Sequence, residues 1–577
     1  MAQNDGDAHN DLLLAWHQWL DESTRQWQHH LATETAKTLP DWPTLAQQYE
    51  TFWRQHLAHL TPATAPEAEA PANTPASLHF NAPEWVTHPY FAQIKTFYTQ
   101  THDFVTQHAQ SMAAALNLKP EQAAQLALLN QHFLAALHPA NHLLQNPEAL
   151  KLACDSRGDS LSKGLDNLKH DLKKGRISLA NDKAFQVGHN IAATAGAVVF
   201  KNHLIELIHY QPTQPQVHAT PVLLIPPCVN KFYIMDLEDK KSLVRYLLDQ
   251  GLSVFLISWK NADDGLKHAQ WDDYVEEGVI QAIRVCKDIS QQAQINTLGF
   301  CIGGVLLCTA LCVLKARAQN WVQHTVFMAS MTDHSDTGPI QPFITEALVQ
   351  KRETQAPQGG LISGLALNAA FSALRPSELI WRYVQYNYLK GHTPKSFDLL
   401  FWNGDPADLP LPMHTFFLRH CYLNNAFTHP GSMQVCGVPI DLGTLTLPMY
   451  IMAAKEDHIA PWTAIYQGLK LFQNSPNIRF VLGAAGHIAG TINPAIDNRR
   501  QFWYGETLPQ SAQTWFNQAK SEQGSWWQDL SIWLTARSGP LLAAPTQLGD
   551  ANWPPLYPAP GRYVHEKANP LLLYQNT

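Results

Sequence analysis

The sequence predicts an α/β protein in which helices cover both faces of a doubly wound, mainly parallel sheet. Short apolar runs at Val222–Ile225, Val254–Ile257 and Ile295–Phe300 alternate with helical stretches. This alternation is typical of parallel sheets, because parallel strands need a crossover connection between them. Further apolar runs continue the pattern at 326–329, from Met449 onward and at 478–482.

The stretch Leu298–Gly304 has the pattern of a nucleophile elbow, with Cys301 where serine usually stands. Glycines two positions before and after the cysteine leave room for a strained strand-to-helix turn. The N–H groups that open the following helix, and the positive end of its dipole, favour a thiolate. The alternative is a small buried cysteine between a core strand and a core helix, so the residues downstream decide between the two interpretations.

An acid and a histidine follow in the order that this elbow requires. Asp457 comes after one apolar strand, and His487 comes after the next, behind Gly486. The order of nucleophile, acid and histidine is that of the α/β-hydrolase fold. We therefore expect Cys301 to be the nucleophile, Asp457 the acid and His487 the base. His458, which is adjacent to the acid, is the less favoured alternative to His487.

A chain of 577 residues is too long for one core, so several domains are expected. We predict a helical N-terminal segment at 1–60, a Pro/Ala linker at 61–79 and a mainly helical domain at 80–210. The first segment is either an ordinary amphipathic helix pair or a docking element. The α/β-hydrolase catalytic domain is predicted at 211–577. Its strand–helix alternation breaks at about 332–446, where an aromatic-rich cap (lid) would cover the elbow and exclude water.

Composition narrows the possible partners and compartments. The net charge of −8 gives no reason to expect nucleic acid. No apolar run is long enough to predict a membrane span, and the start of the chain lacks the basic and apolar regions of a secretory signal. The eight cysteines form no C-x-x-C pair and no zinc spacing. We expect a cytoplasmic protein without a metal or a bound organic cofactor.

Ordered blocks from about residue 80 onward resemble a known enzyme family, the class I polyhydroxyalkanoate (poly(3-hydroxyalkanoate)) synthases. Around Asp333–Thr337 the chain lacks the hydrophobic residue that the family has after the first acid of this segment. This difference affects the cap geometry that the resemblance implies. The first 60 residues and the linker match only loosely. The matching blocks are Val187–Phe200, Pro226–Leu237, Gly299–Gly304, Phe397–Asp405, Leu409–Met413, Ala454–Trp462 and Gly486–Gly490 followed by Asn493-Pro494.

The resemblance implies an acyltransferase that polymerises (R)-3-hydroxyacyl units from their coenzyme A thioesters and releases coenzyme A. Short-chain substrates such as 3-hydroxybutyryl-CoA are expected, together with a homodimer at the surface of polyester granules in the cytoplasm. The resemblance also implies that the backbone N–H groups of Val229 and Ile302 bind the oxyanion. Arg375, Trp402 and His458 match positions that contact substrate or coenzyme A.

The chemistry of sulfur suits this reaction. Attack by a cysteine on a thioester exchanges one thioester for another, so the acyl-enzyme keeps the free energy needed to form an ester. Either His487 or Asp457 could then activate the attacking hydroxyl group. Two alternatives use the same residues: a cysteine-dependent acyl-CoA thioesterase that admits water, and a non-catalytic, granule-associated scaffold with a hydrolase shape.

Overall fold

A computed structural model describes residues 80–572 of the chain. The segments 1–60 and 61–79 of the sequence analysis lie outside the described residues. The described chain forms two compact units: residues 80–177 with 375–393, and residues 178–374 with 394–572. Between residues 80 and 572, no helix is both long enough and apolar enough to cross a membrane.

The larger unit is built on one sheet of eleven strands, in the order β15-β14-β13-β12-β7-β6-β4-β5-β2-β1-β17. Strands β13, β12, β7, β6, β4 and β5 are parallel to one another, and the outer strands on both sides pair antiparallel. The strands are β1 Gly196–Lys201, β2 Ile205–Tyr210, β3 Gln216–His218, β4 Val222–Ile225, β5 Val254–Trp259, β6 Ile295–Phe300, β7 Val322–Met328, β8 Leu361–Ile362, β9 Leu409–Pro410, β10 Gln434–Val435, β11 Val438–Pro439, β12 Met449–Ala454, β13 Ile478–Gly483, β14 Gln501–Tyr504, β15 Lys520–Gln523, β16 Leu541–Ala543 and β17 Tyr557–Pro558.

Helices connect these strands and make up most of the smaller unit. Two of them contain π-helical segments: Tyr274–Ile280 joins the helices before and after it, and Leu418–Leu423 continues the helix that precedes it. Two more π-helical segments are Ser377–Trp381 and Val384–Leu389. The α-helices are Glu84–Thr87, Pro89–Ala115, Pro120–Leu137, Pro147–Asp155, Asp159–Lys174, Leu243–Asp249, Trp271–Asp273, Gln281–Ser290, Ile302–Ala316, Glu346–Gln355, Gly364–Ala373, Asp398–Asn403, Leu411–Phe417, Trp462–Gly468, His487–Thr491, Ala512–Gln518 and Trp526–Thr535.

Two hydrophobic cores lie on opposite faces of the sheet. In β4, Leu223 and Ile225 belong to one core, and Val222 and Leu224 belong to the other. A strand covered on both faces needs apolar residues at every position, which is why these strands appear in the sequence as continuous apolar runs rather than alternating ones. The predicted parallel sheet and the α/β class are confirmed.

The carboxyl ends of the parallel strands bring the predicted functional residues to one edge of the sheet. Val229 follows β4, Cys301 follows β6, Asp457 follows β12 and His487 follows β13. The strand ends are level with one another, because Ile225 pairs with Gly299, Phe300 with Met328, Met328 with Met452, and Ala454 with Gly483.

Two regions differ from the domain boundaries expected from the sequence. Within residues 196–210, placed there in the helical domain, the chain forms β1 and β2. The apolar side chains of Val198–Phe200, Ile205 and Leu207–Ile208 extend the sheet beyond β5. Residues 375–393, placed in the cap, belong to the helical unit. There the Tyr388 hydroxyl donates to Asp171 Oδ2 at 2.7 Å.

Candidate active site

The strand-to-helix turn at Cys301 has the geometry of a nucleophile elbow. Cys301 has φ +53° and ψ −127°, an uncommon backbone conformation for a residue with a side chain. The turn is tight enough that a Cβ on Gly299 would stand 2.5 Å from the Cα of Gly304. A Cβ on Gly303 would strike the carbonyl oxygens of Ile225 and Pro226. The glycines are therefore required by close backbone approach, as the motif predicts.

The elbow helix, Ile302–Ala316, begins at the half-buried cysteine. The N–H of Cys301 donates to Met328 O at 2.9 Å, and the Cys301 carbonyl accepts from Gly304 N at 2.9 Å. These bonds fix the backbone on both sides of the thiol. The N-terminal, positive end of the helix dipole thus lies at Cys301.

Asp457 and His487 form a buried pair at the same edge of the sheet. His487 Nδ1 donates to Asp457 Oδ2 at 2.6 Å. The other carboxylate oxygen, Oδ1, accepts backbone N–H bonds from Ile459 at 2.8 Å and Ala460 at 2.9 Å. Both oxygens of Asp457 are engaged, and the bond at Nδ1 leaves Nε2 as the ring nitrogen available to Cys301.

Burial and charge act in opposite directions on His487. Burial lowers its pKa, but the charges of Asp457 and Cys301 and the hydrogen bonds from both residues outweigh burial and raise the pKa well above its ordinary value. The imidazole also stacks on the Phe300 ring, with centroids 5.6 Å apart. The surroundings of His487 therefore favour the protonated imidazolium form of this side chain.

Val229 and Ile302 lie on two backbone segments that touch each other. The β4 loop, residues 226–231, follows β4, and its first carbonyl meets the elbow helix at Gly303. Among residues 80–572, neither the Val229 N–H nor the Ile302 N–H donates a hydrogen bond. Both amides are therefore available for an oxyanion, and their role in binding one remains a prediction.

The remaining predicted residues lie in different surroundings. His458 is half-buried beside Asp457, whose carboxylate bonds His487. Trp402 is buried in the core and donates from Nε1 to Lys231 O at 2.7 Å. Arg375 lies in the helical unit, where its exposed guanidinium pairs with Glu378 at 2.9 Å. Their predicted contacts with substrate or coenzyme A remain predictions.

Tyr422 is a residue near the candidate site that the sequence analysis did not name. Burial raises the pKa of its phenol, and the nearby Cys301, Cys421 and Asp457 raise it further. His334 packs edge-on against the Tyr422 ring, with centroids 5.0 Å apart. Within an aromatic-rich stretch of the sequence, nothing distinguishes Tyr422 from its neighbours.

Family models match two parts of the chain. The model described as poly-beta-hydroxybutyrate polymerase (PhaC) N-terminus matches residues 76–247, and the model described as alpha/beta hydrolase fold matches residues 221–494. The second match contains the elbow, the acid and the histidine. No group of three or more metal-binding side chains occurs in the described part of the chain.

Curated relatives match nearly the whole chain. Poly(3-hydroxyalkanoate) polymerase subunit PhaC of Cupriavidus necator is 42% identical over 95% of this chain and 95% of its own. Poly(3-hydroxyalkanoate) polymerase 2 of Ectopseudomonas oleovorans is 37% identical over 85% of this chain and 86% of its own. Poly(3-hydroxyalkanoate) polymerase subunit PhaC of Rhizobium meliloti is 31% identical over 93% of this chain and 87% of its own. With these identities over almost the full length, the chain belongs to the poly(3-hydroxyalkanoate) polymerase family.

Proposed function

We propose that this chain polymerises (R)-3-hydroxyacyl units from coenzyme A thioesters, carrying each unit as a thioester on Cys301. The supporting observation is the buried pair of His487 and Asp457 beside a cysteine at a nucleophile elbow, in a chain that belongs to this polymerase family. Short-chain substrates such as 3-hydroxybutyryl-CoA are part of the proposal.

In the first step, the Cys301 thiolate attacks the carbonyl carbon of the acyl-CoA, and the carbonyl oxygen becomes an oxyanion. The N–H groups of Val229 and Ile302 stabilise this charge, and one such donor is worth roughly 10²–10³ in rate. The carbon–sulfur bond to coenzyme A then breaks. The His487 imidazolium gives its proton to the departing coenzyme A sulfur and becomes neutral.

In the second step, the hydroxyl group of another unit or of the growing chain attacks the acyl thioester. Neutral His487 takes the hydroxyl proton through Nε2, the carbon–oxygen bond forms, and the bond to Cys301 Sγ breaks. Both oxygens of Asp457 already accept hydrogen bonds, from His487, Ile459 and Ala460. We therefore assign the hydroxyl activation to His487 rather than to direct action by Asp457.

Exclusion of water separates this function from that of a thioesterase. Water that reached the thioester would release a free acid and end the cycle. His487 is 5% exposed and Asp457 is 8% exposed, and the aromatic rings of Phe300 and Tyr422 lie near them. A covered, aromatic site favours attack by a bound hydroxyl group over attack by bulk water.

A cytoplasmic location at the surface of polyester granules, and a homodimeric state, complete the proposal. Apolar side chains exposed on two adjacent helices of the helical unit support contact with an apolar surface, because such groups are stabilised when they leave water. Light scattering of the purified protein, with and without acyl-CoA, tests the dimer, and co-sedimentation with polyester particles tests the granule contact. The exposed side chains are Tyr90, Phe97, Phe133 and Leu137.

Incubation of the pure protein with 3-hydroxybutyryl-CoA tests the activity. Free thiol is followed together with turbidity, and the protein is analysed by mass spectrometry for an acyl adduct on Cys301. Release of free thiol together with formation of polymer is the expected result. Release of thiol together with free acid would indicate a thioesterase. If no thiol and no polymer form, the protein is a non-catalytic scaffold. The matched control is Cys154→Ser, which changes an exposed cysteine far along the chain and is expected to keep full activity.

A further inference from the structure

Three carbonyl groups of the β4 loop are held by N–H donors from outside the loop. Trp259 Nε1 donates to Pro226 O at 2.9 Å, and Trp402 Nε1 donates to Lys231 O at 2.7 Å. Between them, the Ala407 N–H donates to Val229 O at 3.0 Å. The loop is thus bonded at both ends and in the middle, whereas most loops are held by few such contacts.

The Trp259 indole is itself fixed in place. Its side chain is 4% exposed and stacks on Tyr274, with ring centroids 5.2 Å apart. Gly278 lies so close to the same indole that a Cβ there would stand 2.7 Å from it. A side chain packed this closely has one rotamer, so the position of its N–H is determined by the core.

The second donor segment, residues 402–408, is anchored by buried carboxylates. Asp405 accepts from the Tyr233 hydroxyl at 2.9 Å and from Lys567 Nζ at 2.9 Å. Asp408 accepts from the N–H of Gly364 at 2.8 Å and from the N–H of Asn569 at 2.7 Å. Charge-assisted bonds of this kind are stronger than neutral ones, and they hold Trp402 and Ala407 against the β4 loop.

Among residues 80–572, the three bonds leave the Val229 N–H without an acceptor while holding peptide groups before and after it. A peptide group is a rigid plane, so a bond to its carbonyl oxygen fixes the whole group. The bond to Val229 O therefore fixes the plane directly after the Cys228–Val229 amide, and the bond to Pro226 O fixes the Pro226–Pro227 plane, which one further peptide group separates from that amide. An N–H group stabilises an oxyanion most effectively when it already points to the position of that oxygen, so that it does not have to reorient during the reaction.

We propose that Trp259 and Trp402 are positioning residues that preorganise the Val229 N–H for the oxyanion. The inference rests on the proposed function, because it assumes that an oxyanion forms at Val229. Removing either indole N–H allows the loop to rotate, and the oxyanion then loses part of one donor. The nucleophile and its histidine keep their contacts, so the reactivity of the Cys301 thiolate stays the same.

The test compares two reactions of the same full-length enzyme. Thiol release from 3-hydroxybutyryl-CoA gives kcat and KM, and needs the oxyanion donors. Alkylation of Cys301 by iodoacetamide needs the thiolate and no oxyanion. The variants are Trp259→Phe and Trp402→Phe. The matched control is Trp271→Phe, which removes a buried indole whose Nε1 donates to Thr309 Oγ1 at 3.2 Å, away from the β4 loop.

We expect kcat to fall about 10-fold or more in both variants, since a full donor is worth roughly 10²–10³. The alkylation rate should stay within about twofold of wild type in both variants, KM should do so in Trp259→Phe, and Trp271→Phe should leave all three quantities near wild type. If Trp402→Phe does not fold, 3-benzothienylalanine at 402 keeps the ring shape and replaces only the N–H by sulfur.

Unchanged kcat in both variants would overturn the inference, and so would an alkylation rate that falls in parallel with kcat. No thiol release by the wild-type enzyme, with Cys301 still alkylated, would instead overturn the proposed function on which the inference rests.

Discussion

Asp457 holds His487 through a 2.6 Å bond from Nδ1 to Oδ2. This contact alone sets which imidazole nitrogen faces Cys301, because the carboxylate can only accept and Nδ1 must therefore carry a proton. It is also buried, so water does not compete with it.

The variant Asp457→Asn is expected to lower kcat by roughly 10³–10⁴-fold, because the amide permits the wrong imidazole tautomer. Thiol release under saturating acyl-CoA measures the loss. Glu456→Gln changes the neighbouring exposed acid and serves as the control, with activity close to wild type. A loss of equal size in Glu456→Gln would contradict a specific role for the Asp457 carboxylate.

The variant Cys301→Ser is expected to polymerise more than about 100-fold more slowly, because an alkoxide is much harder to generate and an oxygen ester loses the free energy of the thioester. Cys301→Ala should release no thiol at all. The measurement is polymer mass together with the acyl adduct seen by mass spectrometry. Substantial polymerisation by the serine variant would show that the thioester is unnecessary.

The variant Gly303→Ala is expected to destabilise the fold by about 1–3 kcal/mol, because a Cβ there strikes the carbonyl oxygens of Ile225 and Pro226. Urea unfolding measures the change. Gly265→Ala is the control, since its Cβ would meet only the movable Asp263 side chain, at 3.1 Å. Equal stability of the two variants would mean that the β4 loop moves away from the elbow helix at no cost.

The variant His334→Phe is expected to stabilise the protein at neutral pH by about 1–3 kcal/mol, the cost of a buried polar atom without a partner. His334 is 5% exposed, and its Nδ1 has no hydrogen-bond partner among residues 80–572. A phenyl ring of similar shape keeps the edge-on contact with Tyr422. Urea unfolding is the measurement, and His170→Phe at an exposed position is the control.

The same variant should show a pH dependence of known sign. Burial lowers the pKa of His334 to about 3, with a smaller opposing effect from Asp333. Between the ordinary value near 6.5 and about 3, the unfolded chain binds a proton that the folded chain does not, so the stability of the wild type decreases as the pH is lowered. The advantage of His334→Phe should therefore be larger at pH 5 than at pH 7. An advantage that does not change with pH would mean that His334 titrates normally.

Local patterns were sufficient to predict much of the fold and the candidate site. The apolar runs that became β4, β5 and β12 are continuous because both faces of those strands are covered. The spacing of glycines around Cys301 directly predicts the close backbone approach at the elbow. The family membership that the ordered sequence blocks suggested is confirmed.

What the sequence could not reveal depends on contacts between distant residues. Tyr422 comes near Cys301 only because the chain returns to the strand edge after more than a hundred residues. Residues 375–393 resemble the rest of the aromatic stretch, yet they pack with the helical unit through side chains such as Tyr388. No local sequence pattern predicts the position of Tyr422 or the packing of residues 375–393.

The contacts that hold the β4 loop have a consequence for how the enzyme becomes active. The bond from Trp402 to Lys231 joins residues 171 positions apart, and the bond from Asn569 to Asp408 joins residues 161 apart. Contacts of high sequence separation form late, because the loop-closure entropy must be overcome first. After dilution from denaturant, turnover should therefore return no earlier than these two contacts form. Recovery of catalysis thus depends on parts of the chain that lie far apart in the sequence.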